Sequence, residues 1–446
     1  MLGSIRYFLA DVRHWLATHR VLTAMVVITI VAVGVAVYVV VHDSGGTEAT
    51  VSSAPAPAPR VVVKQVAVPA DTSDLGFPTF ATKNTTRVAG ADPTADAAAV
   101  ALAVWPSTGQ LPGPDAVSFV DTGDWQAGVA AASLTATPVG APILLTESGA
   151  VPPLSATALR ALDPQGSDTT AGRQVFVIGS AASPEGFQTL EVAGDSPAAI
   201  AAEVAKLRER LAGKPDHIVI ASSDDPGYAM PAAAWAARSG DPVLFTGRDD
   251  LPAATVAALR ADDGVPVYVL GPEAAISKQT FKDIEHVAPG AQRVGDSGEA
   301  ESSVAFARYT NGGFGWNIND PGHGFVLANS NRPMDAAVAA PLSASGTWGP
   351  LLVVPDGAAL PDAVRTYLLD LKPGYADDPT RAVYNHVWLV GDTSALSVDV
   401  QGEVDDLAEV APVTSGSGAP ASDSSAGTPE SEPGAGHNNG QGGQPK

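Results

Sequence analysis

Three heptapeptides constrain this chain more than any other feature: GAPILLT at residues 140–146, GDPVLFT at 240–246 and WGPLLVV at 348–354. Each is an apolar run behind a Gly-X-Pro or Gly-Pro turn, the pattern of a short buried strand. Pro142 and Pro242 stand 100 residues apart, and Pro242 and Pro350 stand 108 apart. A phrase rewritten at a domain-sized interval predicts a duplicated unit.

The surrounding phrases repeat as well, in one fixed order. Each copy opens with a turn and helix: RVAGADPTADAAAVALAVW, EVAGDSPAAIAAEVAKLRERL and RVGDSGEAESSVAFARY. In the second of these, Ser196 suits an N-cap and Pro197 the first helical position. Ile200, Val204, Leu207 and Leu211 then fall on one face at helical spacing. A strand feeding an Ala-rich helix follows, beginning at Asp115, Asp216 and His323. The heptapeptide comes next, leading into a second helix, and VFVIG, VYVLG or VWLVG closes the copy. Strand, helix, strand, helix, strand predicts a parallel sheet covered on both faces, and the continuous apolar runs fit strands buried on both sides. The fold class expected is α/β: three tandem Rossmann-like modules, over residues 77–186, 187–287 and 288–412.

Two flanking regions differ in character. Residues 21–41, VLTAMVVITIVAVGVAVYVVV, carry no charge over 21 positions, enough to cross the hydrocarbon of a bilayer. Arg6, Arg13 and Arg20 precede the run while Asp43 and Glu48 follow it, which predicts a cytoplasmic segment at 1–20 and export of everything after the span. This is the pattern of a signal-anchor in a single-pass protein of the cell membrane. Residues 42–76 begin with a Pro/Ala-rich spacer, and RVVVKQVAV at 60–68 could add an edge strand. Residues 413–446 are rich in Ser, Gly and Pro and predict a disordered tail.

Composition narrows the chemistry. There is no cysteine, which removes disulfides, thiolate metal sites and thiol nucleophiles. The net charge is −23; residues 1–42 contribute +2 and residues 413–446 contribute −2, so the middle carries the whole −23. Such a surface repels phosphate backbones, which argues against nucleic acid. No P-loop, zinc-binding His pair or Gly-X-Ser-X-Gly elbow occurs, and VAGADP and VAGDSP do not form a dinucleotide fingerprint. Asp121 with Asp124, the pair Asp224-Asp225, and Asp320 with His323 are polar groups at predicted strand ends or turns, where capping or turn geometry explains them as well as cation binding does. No catalytic residues, metal or cofactor are expected.

The phrases together resemble the type 2 cell-wall-binding repeat, found in threes on surface proteins of clostridia and actinobacteria. The resemblance rests on GAPILLT and GDPVLFT with the Leu-Pro helix after them, the VxVIG-type strand, and the D-x-V-x-x-A strand before an Ala-rich helix, over about residues 77–412. It implies three modules around a pseudo-threefold axis that bind, without catalysis, a wall polymer, often an anionic secondary one. The family's Arg-Tyr-x-Thr-like element is missing from the opening phrases, and its Asp-Ala-Leu-like helix start survives only as Asp335-Ala336-Ala337. Arg87, Arg248, Arg293 and Arg332 stand beside predicted turns, with Trp125, Tyr228 and Trp348 near the same loops. Arginine forks to phosphate or carboxylate and aromatics stack on sugar faces, so Arg87, Arg248, Arg293, Arg332, Trp125, Tyr228 and Asp335 form the expected polymer-contacting set. The alternative role for these side chains is packing between modules. The rival functions are an exported protein-interaction scaffold and a solute-binding receptor. A monomer is expected, because three copies in one chain can satisfy a trimeric arrangement internally.

Overall fold

The computed structural model describes residues 80–413 apart from 89, 91, 106–112 and 345–348. The expected membrane span, the spacer with RVVVKQVAV, the tail and Trp348 lie outside the described residues. Among the described residues no helix is long and apolar enough to cross a membrane.

The chain enters through a short antiparallel pair, β1 (Phe80–Ala81) and β2 (Thr85–Val88), followed by helix α1 (Pro93–Val104). The first module then runs β3 (Val117–Asp121), α2 (Trp125–Ala131), β4 (Ile143–Thr146), α3 (Pro153–Leu162), β5 (Val175–Ile178) and β6 (Thr189–Val192). After α4 (Pro197–Ala212), the second runs β7 (Ile218–Ser222), α5 (Pro226–Ser239), β8 (Val243–Thr246), α6 (Ala253–Ala261), β9 (Val267–Leu270), α7 (Lys278–Val287) and β10 (Gln292–Val294). After α8 (Glu299–Arg308), the third runs β11 (Gly324–Asn329), α9 (Met334–Ala344), β12 (Leu351–Val354), α10 (Asp362–Asp370), the short β13 (Gly374–Tyr375), β14 (His386–Val390), α11 (Val398–Ala408) and β15 (Ala411–Pro412).

Three four-strand parallel sheets result, in the orders β4-β3-β5-β6, β8-β7-β9-β10 and β12-β11-β14-β2, with β1 appended antiparallel to the last, and β13 and β15 form a small parallel pair of their own. Each sheet has a fourth strand beyond the three that the sequence indicates. That strand is the first part of the opening phrase, TLEV, QRV or TTRV, and it belongs to the sheet of the copy before it. The helix that follows it, α4, α8 or α1, packs against the next copy's sheet. For the first copy there is no earlier one, so β2 joins the third module, pairing Val387 with Thr85 and Val390 with Val88. The modules therefore close into a ring, chained by their opening phrases.

The glycine that ends each third strand marks the same closure three times. The backbone N–H of Gly179 donates to Val192 O at 2.8 Å, Gly271 to Val294 O at 2.8 Å, and Gly391 to Val88 O at 2.9 Å. All three glycines have positive φ, at 65°, 103° and 93°, a conformation that costs other residues strain.

Burial follows from the alternation of strand side chains. Val117 and Phe119 of β3 face an outer core with Leu144, Leu159 and Leu162, and each of the other two modules has its own outer core of the same kind. Val120, Ile143, Leu145 and their counterparts face inward to one core shared by all three modules. At its centre the Ala-rich helices α2, α5 and α9 pack on one another. Small side chains allow the approach: a Cβ added to Gly128 of α2 would lie 2.9 Å from both Ala337 Cβ and Met334 Sδ of α9.

Candidate functional site

In an open parallel sheet the loops after the strands' carboxyl ends form the natural ligand rim. Here the rims are built from 121–125, 146–149 and 179–183 in the first module, and from the equivalent loops of the second and third. Their polar groups largely hold one another. Asp124 caps α2 by accepting from the Ala127 N–H at 3.2 Å, and burial raises its carboxyl above the usual range. Asp121 accepts from the Gly123 N–H at 3.0 Å. Ser222 Oγ accepts from the backbone N–H groups of Asp224 and Asp225, at 3.2 and 3.1 Å. Asn329 Nδ2 donates to Ala395 O at 2.8 Å, and Asn331 Nδ2 to Pro355 O at 3.0 Å. Among the described residues no group of three or more His, Asp or Glu side chains converges to hold a metal ion.

The structure disperses the expected contact set. Arg87 on β2 is 2% exposed. Its Nη1 donates to Gly391 O and Asp392 O at 3.0 and 2.9 Å, its Nη2 to Ser397 O at 3.3 Å, and its Nε to Gln401 Oε1 at 2.9 Å. Burial lowers the guanidinium to about 10, so it keeps its charge at neutral pH, but no face is left for a polymer. Arg293 on β10 repeats this clasp, donating to Gly271 O at 2.9 Å and Ile276 O at 2.8 Å while lying over the Phe281 ring at 4.7 Å. The repeated arginine thus staples the fourth strand to the loop after the third; Glu191 occupies the matching register on β6.

Arg332, Asp335, Trp125 and Tyr228 sit at the junctions between modules. Arg332, just before α9, reaches α1 of the first copy: its Nη2 lies 2.6 Å from Asp96 Oδ2 and its Nε 2.7 Å from Asp335 Oδ2. Asp96 and Asp335 are both fully buried. Burial and the second carboxylate push Asp96 up to about 9, while Arg332 partly offsets the burial of Asp335 and leaves it at about 6. At neutral pH the trio is therefore one carboxylic acid, one guanidinium and one carboxylate, close to neutral. Trp125 sits edge-on to Phe245 of the second module at 5.8 Å. Tyr228 Oη donates to Ser297 O at 3.1 Å, in the phrase that leads to the third. Gln126 Nε2, absent from the expected set, donates across the first junction to Ser223 O at 3.2 Å.

Arg248 alone of the four arginines has a half-exposed side chain, at 51%. It stands on the rim of the second module, where its N–H donates to Asp224 Oδ2 at 2.8 Å and its Nε to Ala274 O at 3.0 Å, with Asp249 alongside. This corner presents a guanidinium and three carboxylates, Asp224, Asp249 and Asp250, to solvent.

Comparison with known proteins agrees with this architecture. Residues 191–281 match the family of cell wall binding domain 2 (CWB2). That interval begins on β6 in the first module's sheet and ends in α7, so the unit of sequence straddles two structural modules. Cwp8 and Cwp6 from Clostridium difficile have similar solved structures, each 18% identical, with TM-scores of 0.54 and 0.57 over 73% of this chain. At that identity the likeness is one of fold. The chain spans about half of each, 51% and 48% of their lengths. No curated protein sequence matches the chain.

Proposed function

We propose that the chain is an exported, membrane-anchored cell-wall-binding protein whose three modules, set about a pseudo-threefold axis, attach non-covalently to envelope polymer. The observation that carries this reading is the ring of three parallel-sheet modules with the wall-binding match over its middle sequence unit. The side chains speak for binding over catalysis, since the buried carboxylates Asp96 and Asp335 face Arg332 inside a junction, where their partner is structural. The rim that offers a guanidinium is Arg248's, bordered by carboxylates, which suits a neutral glycan or a cation-bridged anionic polymer better than a bare polyanion. Residues 21–41 supply the anchor in this reading, with the modules outside the cell as a monomer.

Co-sedimentation of residues 70–412 with purified sacculi tests it, before and after acid stripping of secondary polymers, with and without calcium. Pelleting that stripping abolishes is the expected result. Pelleting under no condition would replace wall binding with the protein-scaffold reading.

A further inference from the structure

The third copy carries a stretch that the second copy lacks. Between helix and strand the second copy needs only residues 213–217, whereas the third uses 309–323, including NGGFGWNIND. This insertion folds back onto the amino-terminal end of β7, the end of the second module opposite its rim. Phe314 is fully buried there and stacks on Tyr268 with centroids 3.7 Å apart, next to Trp235 at 5.0 Å and His217 at 5.5 Å. Phe314 therefore acts as mortar between the two modules.

Packing does not account for what lies beside it. Trp316 stands edge-on to Trp235 at 5.5 Å, and between the insertion and the second module a cleft of about 380 Å³ stays open. The cleft opens to solvent, and its size lies within the range of small-molecule clefts. Its floor is aromatic and fixed: Asp241, 1% exposed, accepts from Trp235 Nε1 at 2.8 Å and from the His217 N–H at 3.0 Å, with His217 Nδ1 at 3.2 Å. Asp216, Arg238 and Ser239 complete the lining.

We propose that this cleft is a saccharide subsite that takes one neutral sugar ring. The part-exposed Trp316 indole and His217 imidazole offer flat surface for the C–H face of a sugar, while Trp235, 6% exposed, backs them from the core. Ser239 Oγ is committed between Trp235 O and the Asp241 N–H and Asp241 is buried, so the charged groups at the mouth are Asp216 and Arg238; a sugar hydroxyl, which both donates and accepts, suits that pair, whereas a single-charge ligand would meet both signs. The cleft is at the far end of the module from the rims, so its occupancy does not depend on whether the rims hold wall polymer.

The test is intrinsic tryptophan fluorescence of the full chain, titrated with glucose, N-acetylglucosamine and glucuronic acid. A saturable change with a neutral sugar is expected, half-complete in the millimolar range typical of weak single-ring contacts, on the order of 1–10 mM. Gly313→Leu serves as the blocking variant. A Cβ there would sit 3.6 Å from His217 Cε1 and 3.8 Å from its Nε2, with no backbone in the way, so the fold survives while the mouth fills. In that variant the half-saturation should rise at least tenfold while the melting temperature holds. No saturable change with either neutral sugar, a response unaltered by Gly313→Leu, or a preference for glucuronic acid would each overturn the proposal.

Discussion

Four hydrogen bonds around a fully buried guanidinium make Arg87 a clasp between the first strand of the ring and its last loop. Arg87→Ala removes a buried cation and strands three carbonyls and an amide oxygen, so it should lower stability by about 3 kcal/mol or more. Arg293→Ala, with two carbonyl acceptors and a half-buried side chain, should lose about 1–2 kcal/mol. Urea denaturation of the two variants checks the ranking, and equal losses would refute the clasp. Asp96 gives a pH signature. Its folded pKa is raised from 3.8 to about 9, so the folded state holds a proton that the unfolded chain releases. Stability from this group is fully present below about pH 4 and declines as pH rises through 9, by at most about 1.4 kcal/mol per pH unit. Asp335, raised to about 6, contributes a similar decline that ends near pH 6, and so leaves the alkaline window to Asp96. Melting temperatures between pH 7 and 9 should fall in the native protein and stay flatter in Asp96→Asn, which keeps the shape and cannot ionise. The repeated Arg-Val was visible in the sequence, but its role was not: a guanidinium beside a predicted turn reads as a ligand contact until the carbonyls folding back onto it are known.

Secondary elements were far more legible than side-chain roles. ILLT, VLFT and LLVV are strands as their continuous apolar runs indicate, and the Ala-rich phrases are central helices because only small side chains permit so close an approach. The fourth strand of each sheet escaped notice because TLEV and QRV are short, at least half polar and attached to a strong helix signal. A sheet edge needs only one buried face, so its strand carries little apolar signature. Gly128 tests the packing at this scale. Leucine there would drive a side chain into Ala337 and Met334 of α9, where neither helix has room to move. Gly128→Leu should cost about 3 kcal/mol or more through overpacking, although leucine is the better helix former. Paired with Ala337→Gly it should recover part of the loss, and thermal melts of the two variants read that recovery. A Gly128→Leu protein as stable as the native one would mean that the central helices do not touch as described.

Across the whole molecule the ring closes where the first and last described elements meet. Lys83 Nζ pairs with Glu409 at 2.7 Å, and the side chain of Asn84 donates to Asp405 O at 3.0 Å, so the chain returns to its entry point after three modules. Two expectations separate a closed ring from three beads on a string. Removing residues 80–88 takes away β2, exposes one edge of β14 and leaves the Arg87 acceptors unpaired; beads would lose only the third module's stability, while a ring sharing one core should lose cooperative unfolding throughout. A circular permutant gives the converse. Joining 413 to 80 through a short Gly/Ser linker and opening the chain between Glu185 and Gly186, in an exposed loop, makes β6 the entering strand of the first module. It would then close that sheet from the amino terminus as β2 now closes the third. Loop closure grows only slowly with length, so the permutant should melt within a few degrees of the native protein as a single transition. A permutant that unfolds in two steps, or a β2 deletion that still melts cooperatively, would show that the opening strands decorate the modules and do not chain them.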